Sequence, residues 1–253
     1  AGAIDPAVKE EQRKTIAEMA AFASDPAHID ILRGEENSAT LFVSDEYLAY
    51  ARENGIETFL DLYWMKNAFA ADYIADRLIA EGYSDGYLAC GEGFTRSLGG
   101  NVPLSSTVYD RTEKKLFKAA ALQFGTVKSV VVFHDFPASR SNDSLYYQYA
   151  DGRMVTPYIS VSDGLCRASV SNLTVCSDSE GCAAVMLAAK NAYFSREFSG
   201  DRLRKEWGDR FRFVFTRDNT VFLSSPEIKV SDLLNDGTVT YTAEVIQEDS
   251  SPQ

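Results

Sequence analysis

A chain of 253 residues with 45% hydrophobic and 25% charged residues is long enough to bury a substantial core and has the composition of a soluble globular domain. A formal charge of −12 and scattered Lys and Arg, with one loose group at Arg202, Arg204 and Lys205, argue against nucleic-acid binding, which needs clustered cations to neutralise phosphates. No apolar run reaches the roughly 20 residues of a membrane-spanning helix.

In chain order, the opening AGAIDPAVKEEQ shows no signal-peptide pattern, and residues 6–24 carry helical spacing, with Asp5 as cap, Pro6 in the first turn and Asp25-Pro26 as stop. A strand over 39–43 leads to a short helix, SDEYLAYARENG, bounded by Ser44 and Gly55. Residues 56–62 read as a strand. Residues 65–81 read as a helix whose Phe69, Tyr73, Ile74, Leu78 and Ile79 should face a sheet, with Gly82 closing it.

Strands are expected at 86–90, 105–109 and 127–134, with an amphipathic helix over 112–124 between the last two. LYYQYADGRMVTPYI reads as a hairpin turning at Asp151-Gly152, and ASVSNLTVC as an alternating strand. A helix over 179–196, a short helix near 199–207, a hairpin across Arg217-Asp218 and a last strand, TVTYTAEVI, complete the pattern. Helices and strands mix without a βαβ cadence, so the fold class is α+β, one domain over 1–246 with a disordered tail over 247–253.

The four cysteines, Cys90, Cys166, Cys176 and Cys182, contain no CxxC pair, and His28 and His134 are the only histidines, which is the wrong set for structural zinc. Buried free thiols are expected; in an exported protein a disulfide among Cys166, Cys176 and Cys182 is the alternative. No Ser-His-Asp arrangement is supported. His134, in VVVFHDF, reads as a satisfied strand-end histidine, with an acid–base role beside Asp135 as the alternative.

Four blocks in order carry a resemblance. Residues 61–72, DLYWMKNAFAAD, are similar to a segment reading roughly DLGGIAKGYAVD, with Asp61, Leu62, Ala70 and Asp72 identical. GYSDGYLACGEGFTRSLGG (82–100) is similar to ALVNAGGDIRALG, DGRMVTPYISVSDG (151–164) to the surroundings of HIIDPRTG, and SVSNLTVCSDSEGCAAVMLAAKNA (169–192) to SVTVIAPSAMEADALSTALFVLG. FRFVFTRDNTVFLSSP (211–226) resembles the hairpin that closes the same fold. Over roughly residues 1–226 the chain thus resembles the FAD:protein FMN transferase (ApbE-like) family.

The resemblance implies an ApbE-like, T-fold-like α+β architecture of antiparallel sheets with packed helices. It also implies that the chain's opening matches an internal GAFDPTVGPL segment, so that a preceding portion has been removed or lost. It implies an exported, periplasmic or cell-surface location, FAD as ligand, a flavoprotein acceptor as partner, and cofactor-binding candidates at Asp61, Lys66, Asn67, Asp72, Gly91, Gly93, Thr95 and Asp163.

Several family residues are replaced. Tyr63 and Trp64 stand for two glycines, Asn67 for a lysine, Phe94 for an aspartate unless that position is displaced by one residue, and Pro157 and Ser160 for the His and Asp of HIIDPRTG. Ala184 and Ala188 stand for the Asp and Thr that hold Mg²⁺ in the family, and methyl groups cannot ligate magnesium. Asp178 and Glu180 lie nearby, but SDSEG reads as a helix start capped by Ser177 or Asp178. The expectation is therefore a divergent ApbE-like domain without metal-dependent catalysis, acting as a flavin- or nucleotide-binding or structural protein. The alternative is an active enzyme moving FMN from FAD to a Thr or Ser of a target flavoprotein with Mg²⁺.

Overall fold

The computed structural model describes residues 9–36, 38–60, 62–90, 93–99, 102–112, 115–137, 146–148, 154–155, 168–195 and 197–247. They belong to two compact units, residues 1–63 with 148–167 and residues 64–147 with 168–253.

The first unit begins with α1 (Glu10–Ser24), which has no side-chain cap at Lys9; the expected cap at Asp5 lies outside the described residues, as does the tail from 248. β1 (Ile29–Arg33), which the sequence did not reveal, pairs antiparallel with β2 (Ala39–Val43). In α2 (Asp45–Asn54), Ser44 Oγ accepts the Tyr47 N–H at 3.1 Å, and Gly55 closes the helix at φ +64, where a side chain would be strained. Phe22 stacks on Tyr47 with ring centres 4.8 Å apart, and Phe59 meets Tyr47 edge-on at 5.2 Å. The strand expected over 56–62 is absent from the described residues there: Phe59 anchors the segment by ring packing, and no neighbouring strand pairs with it.

The second unit runs α3 (Lys66–Ala80), β3 (Tyr87–Cys90), β4 (Phe94–Ser97), β5 (Leu104–Thr112), β6 (Lys115–Gly125) and β7 (Ser129–His134). Next along the chain, β8 (Tyr147–Gln148) pairs with β9 (Met154–Val155), and Gln148 and β9 belong to the first unit; the expected turn at Asp151-Gly152 lies outside the described residues. The second unit resumes at residue 168. Then come β10 (Asn172–Ser177), α4 (Cys182–Tyr193), α5 (Gly200–Trp207), β11 (Arg212–Arg217), β12 (Thr220–Leu223), β13 (Lys229–Ser231) and β14 (Thr242–Val245).

A seven-stranded sheet has the order β14-β12-β11-β10-β7-β4-β3, and a three-stranded sheet the order β13-β6-β5. All described pairings in these two sheets are antiparallel except β14 with β12, which is parallel. Helices α3 and α4 pack on the larger sheet. Val130, Cys176 and Val214 of that sheet share a core with Leu104, Val108, Leu122 and Phe124 of the smaller one. The central β10 is therefore buried at every position from Asn172 to Ser177, where ASVSNLTVC suggested a half-exposed strand.

Two expectations fail for identifiable reasons. Residues 112–124 have the amphipathic pattern expected of a helix, but 115–125 form β6, paired along its length with β5 and flanked by β13. A bulge between Val108 and Tyr109 shifts the register, so that Ala119 and Ala120 are both buried beside Leu122 and Phe124. In α3 the buried face is Ala68, Ala71 and Ala75, whereas Phe69 (51%), Tyr73 (68%) and Ile74 (48%) are exposed. Small residues let α3 approach β3, β4 and α4 closely, and that close approach decides the face over side-chain size.

Candidate functional site

Three of the four sequence blocks meet at the start of α4. Asp72, from α3, accepts the Cys182 N–H on Oδ1 and the Ala183 N–H on Oδ2, each at 2.8 Å. The first amides of a helix have no intrahelical acceptor and carry its positive dipole end, so a carboxylate there is doubly favoured. Gly181 is the N-cap, and a Cβ on it would lie 2.6 Å from both carboxylate oxygens. The cap thus comes from another helix, rather than from Ser177 or Asp178 as the local sequence suggested. Ser177 Oγ instead accepts the Glu180 N–H at 3.1 Å in the turn before α4.

Arg96, on β4 and buried, completes the corner. Its Nε lies 3.2 Å from Asp72 Oδ1 in an ionic contact without hydrogen-bond geometry, and its terminal nitrogen donates to Asp76 Oδ1 at 3.1 Å. Sequence reading passed over Arg96, although a lone arginine inside a buried-type strand signals an opposite charge nearby. Cys182 Sγ donates to the Thr95 carbonyl at 3.4 Å. Burial foremost, and then the Asp72 charge, push this thiol up to about 12, which makes it a packing group rather than a nucleophile. Cys176 is likewise buried and free, and Cys90 is free and half-buried; Cys166 lies outside the described residues.

Among the flavin candidates, Asp72 and Thr95 are therefore brought together around Cys182. Gly93 sits at φ +91 where β4 begins, and a Cβ there would lie 2.5 Å from the Val132 carbonyl, so the glycine serves the approach of β4 to β7. Lys66 is exposed and Asn67 half-buried in the first turn of α3. Beside them Trp64 carries the Lys190 ammonium over its ring, 4.2 Å from the centre. Asp61, Gly91, Asp163, Pro157, Ser160 and the Tyr63 side chain lie outside the described residues.

Magnesium does not fit the donor set around α4. Ala184 and Ala188 offer no oxygen, Asp178 pairs with Arg212, Glu180 pairs with Arg210 at 3.0 Å, and Asp72 is held by two backbone amides. Among the described residues no group of three His, Cys, Asp or Glu is placed to hold a metal. Among the described residues at the start of α4, an ion demanding octahedral oxygen coordination finds no sufficient set of oxygens.

His134 departs from the satisfied strand-end reading. Its Nδ1 is buried without a hydrogen-bond partner, and burial pushes the imidazole down to about 4. The neighbouring Asp135 is pushed up to about 6, by burial first, with Asp110 adding to the rise and Arg111 opposing it.

No protein-family model matches the sequence, and no curated protein does. Solved structures do. The ApbE protein of Thermotoga maritima matches with a TM-score of 0.57 at 12% identity, over 87% of this chain and 62% of that one. A single-site mutant of flavin transferase ApbE from Vibrio cholerae matches with a TM-score of 0.51 at 13% identity, over 92% and 60%. The chain spans about three fifths of the length of each. With helices packed on a largely antiparallel sheet and the three sequence blocks joined at α4, the chain has an ApbE-like α+β fold.

Proposed function

We propose that this chain is an ApbE-like domain that works by binding, without metal-dependent catalysis, and that a flavin or another nucleotide is its ligand class. The observation that carries this reading is the start of α4: each carboxylate there is committed to an arginine or to backbone amides, and positions 184 and 188 are methyl groups. The fold likeness supports the flavin, because one of the matched structures is described as a flavin transferase. Trp64 tempers it. A ring ligand stacking there must displace the Lys190 ammonium from the indole face, which weakens FAD binding in the unmodified chain.

The test is FAD absorbance titrated with the protein, with and without Mg²⁺, followed by analysis for AMP and for FMN attached to an acceptor flavoprotein. The expected result is a weak spectral shift indifferent to Mg²⁺, with FAD recovered intact. Mg²⁺-dependent release of AMP with FMN on a Thr or Ser of the acceptor would replace this reading with the transferase.

A further inference from the structure

Helix α3 is apolar on two opposite sides. Ala68, Ala71 and Ala75 line the side that packs on β3, β4 and α4. On the other side Lys66, Ala70, Tyr73 and Arg77 recur at helical spacing, all exposed, and Glu81 continues the stripe as the C-cap residue. Phe69 and Ile74, also exposed, flank it. Leu187 extends the apolar area onto α4, which packs beside α3. Single apolar side chains are ordinary on a surface, but three large ones within two turns of a helix already apolar on its inner face mark a side that something covers.

We propose that this face of α3 binds a second copy of the chain, with the two α3 helices antiparallel across a two-fold axis that passes between Tyr73 and Ile74. The charges select that arrangement. The stripe is positive at Lys66, near its start, and negative at Glu81, at its end, so the two-fold sets Lys66 of each copy against Glu81 of the other. The same operation lays Tyr73 against the partner's Ile74, and Arg77 against the partner's Ala70. A methyl group at position 70 leaves the guanidinium room to reach the neighbouring Phe69 ring. A parallel pairing fails on the same residues, because Lys66 would meet Lys66 and Arg77 would meet Arg77.

A membrane is the poorer partner for this face. A helix lying on a lipid surface needs cations around its apolar side, whereas Asp76 and Glu81 border this one and the chain carries a net charge of −12. The size of the face sets the strength of the pairing. A helix of 15 residues is about 22 Å long, and one such stripe with Leu187 beside it is smaller than the ~800 Å² that each partner gives to a standard interface. The dimer is therefore weak, with a Kd between roughly 10 µM and 1 mM.

The experiment is sedimentation velocity on the full chain from about 5 µM to about 1 mM, with a melting curve for every variant. The mass is expected to rise from monomer towards dimer across that range. Tyr73→Glu, at an outward position, keeps the melting curve and weakens the dimer by about tenfold or more, because it places an unpaired charge in the apolar centre. Lys66→Glu and Glu81→Lys each weaken it alone, and the two combined in one chain restore it, since every cross-dimer pair is again of opposite sign. Both swaps suit the helix dipole, so folding is kept. A face that adheres without a fixed register does not show that rescue. A chain that stays monomeric throughout, a dimer indifferent to Tyr73→Glu, or charge swaps that do not restore association when combined would each overturn the pairing. A monomer that instead sediments with vesicles of phosphatidylserine and phosphatidylcholine would overturn it in favour of a lipid surface.

Discussion

Two of the aspartate–arginine pairs in the second unit behave differently, Asp72 with Arg96 and Asp135 with Arg111. In the first, both carboxylate oxygens receive backbone N–H donors at 2.8 Å, and the arginine completes the corner. In the second, the pair is 3.8 Å apart, and one carboxylate oxygen has no donor. The difference lies in what the backbone offers. A helix start has spare amides aimed at one point, whereas strands spend their amides on ladder partners, so a carboxylate lodged between sheets has only side chains to turn to. Identical residue types therefore make a structural clamp in one place and a proton-sensitive contact in another.

The largest effect should come from the clamp. Asp72→Ala removes the α4 cap and one of the carboxylates beside the buried Arg96 guanidinium, and should cost about 3–5 kcal/mol in urea unfolding. A loss below about 1 kcal/mol would mean that solvent replaces the carboxylate and that the corner is looser than its geometry states.

The next effect separates Asp135 and His134 by the sign of their pH dependence. Asp135 is raised from 3.8 to about 6, so its contribution is fully present below 3.8 and is lost as pH rises through about 6. His134 is lowered from 6.5 to about 4, so its contribution is fully present above 6.5 and is lost as pH falls toward 4. Between about 4 and 6 the native chain keeps its proton on Asp135 and the unfolded chain keeps one on His134, and the two slopes cancel. Asp135→Asn should therefore make stability fall on acidification, and His134→Gln should make it rise, with differences of up to about 3 kcal/mol across the window. Parallel slopes in the two variants would break the assignment.

Smaller again, Arg111→Gln should cost less than about 1 kcal/mol at neutral pH, while Arg96→Gln should cost several times more. Equal losses would erase the contrast between the pairs. The smallest effect belongs to Trp64: removing the Lys190 ammonium from its ring by Lys190→Met should cost about 0.5–1 kcal/mol in stability and strengthen FAD binding measurably. Trp64→Gly is the companion, read by flavin titration beside a melting curve. Tight FAD binding by the unmodified chain that is lost in Trp64→Gly without unfolding would show the indole to be a stacking platform for the ligand.

The fold class and several helices could be read locally, because Ser44, Gly55 and Ser199 mark helix ends by side-chain and backbone chemistry that needs no distant partner. β6 could not, since its own residues favour a helix and the strand exists through β5 and β13. The spacing of the larger apolar groups does not give the buried face of α3, because three alanines set the close packing. At the site, Asp72 was found from its motif, but its work as a cap for α4 depends on chain brought in from far along the sequence. Arg96 and the unpartnered His134 nitrogen became visible only once the strands had been assembled.

Gly181 bears on how such a chain changes over generations. Its backbone, at φ −77, is open to any residue, yet the space for a side chain is filled by the Asp72 carboxylate. Position 181 can leave glycine only if position 72 gives up its carboxylate, and that change takes a charge partner from Arg96. Each single step passes through a destabilised protein, so the three positions should drift together or stay fixed together. Ala184 and Ala188, further along α4 and half-buried, carry no such bond, and replacements there should accumulate independently.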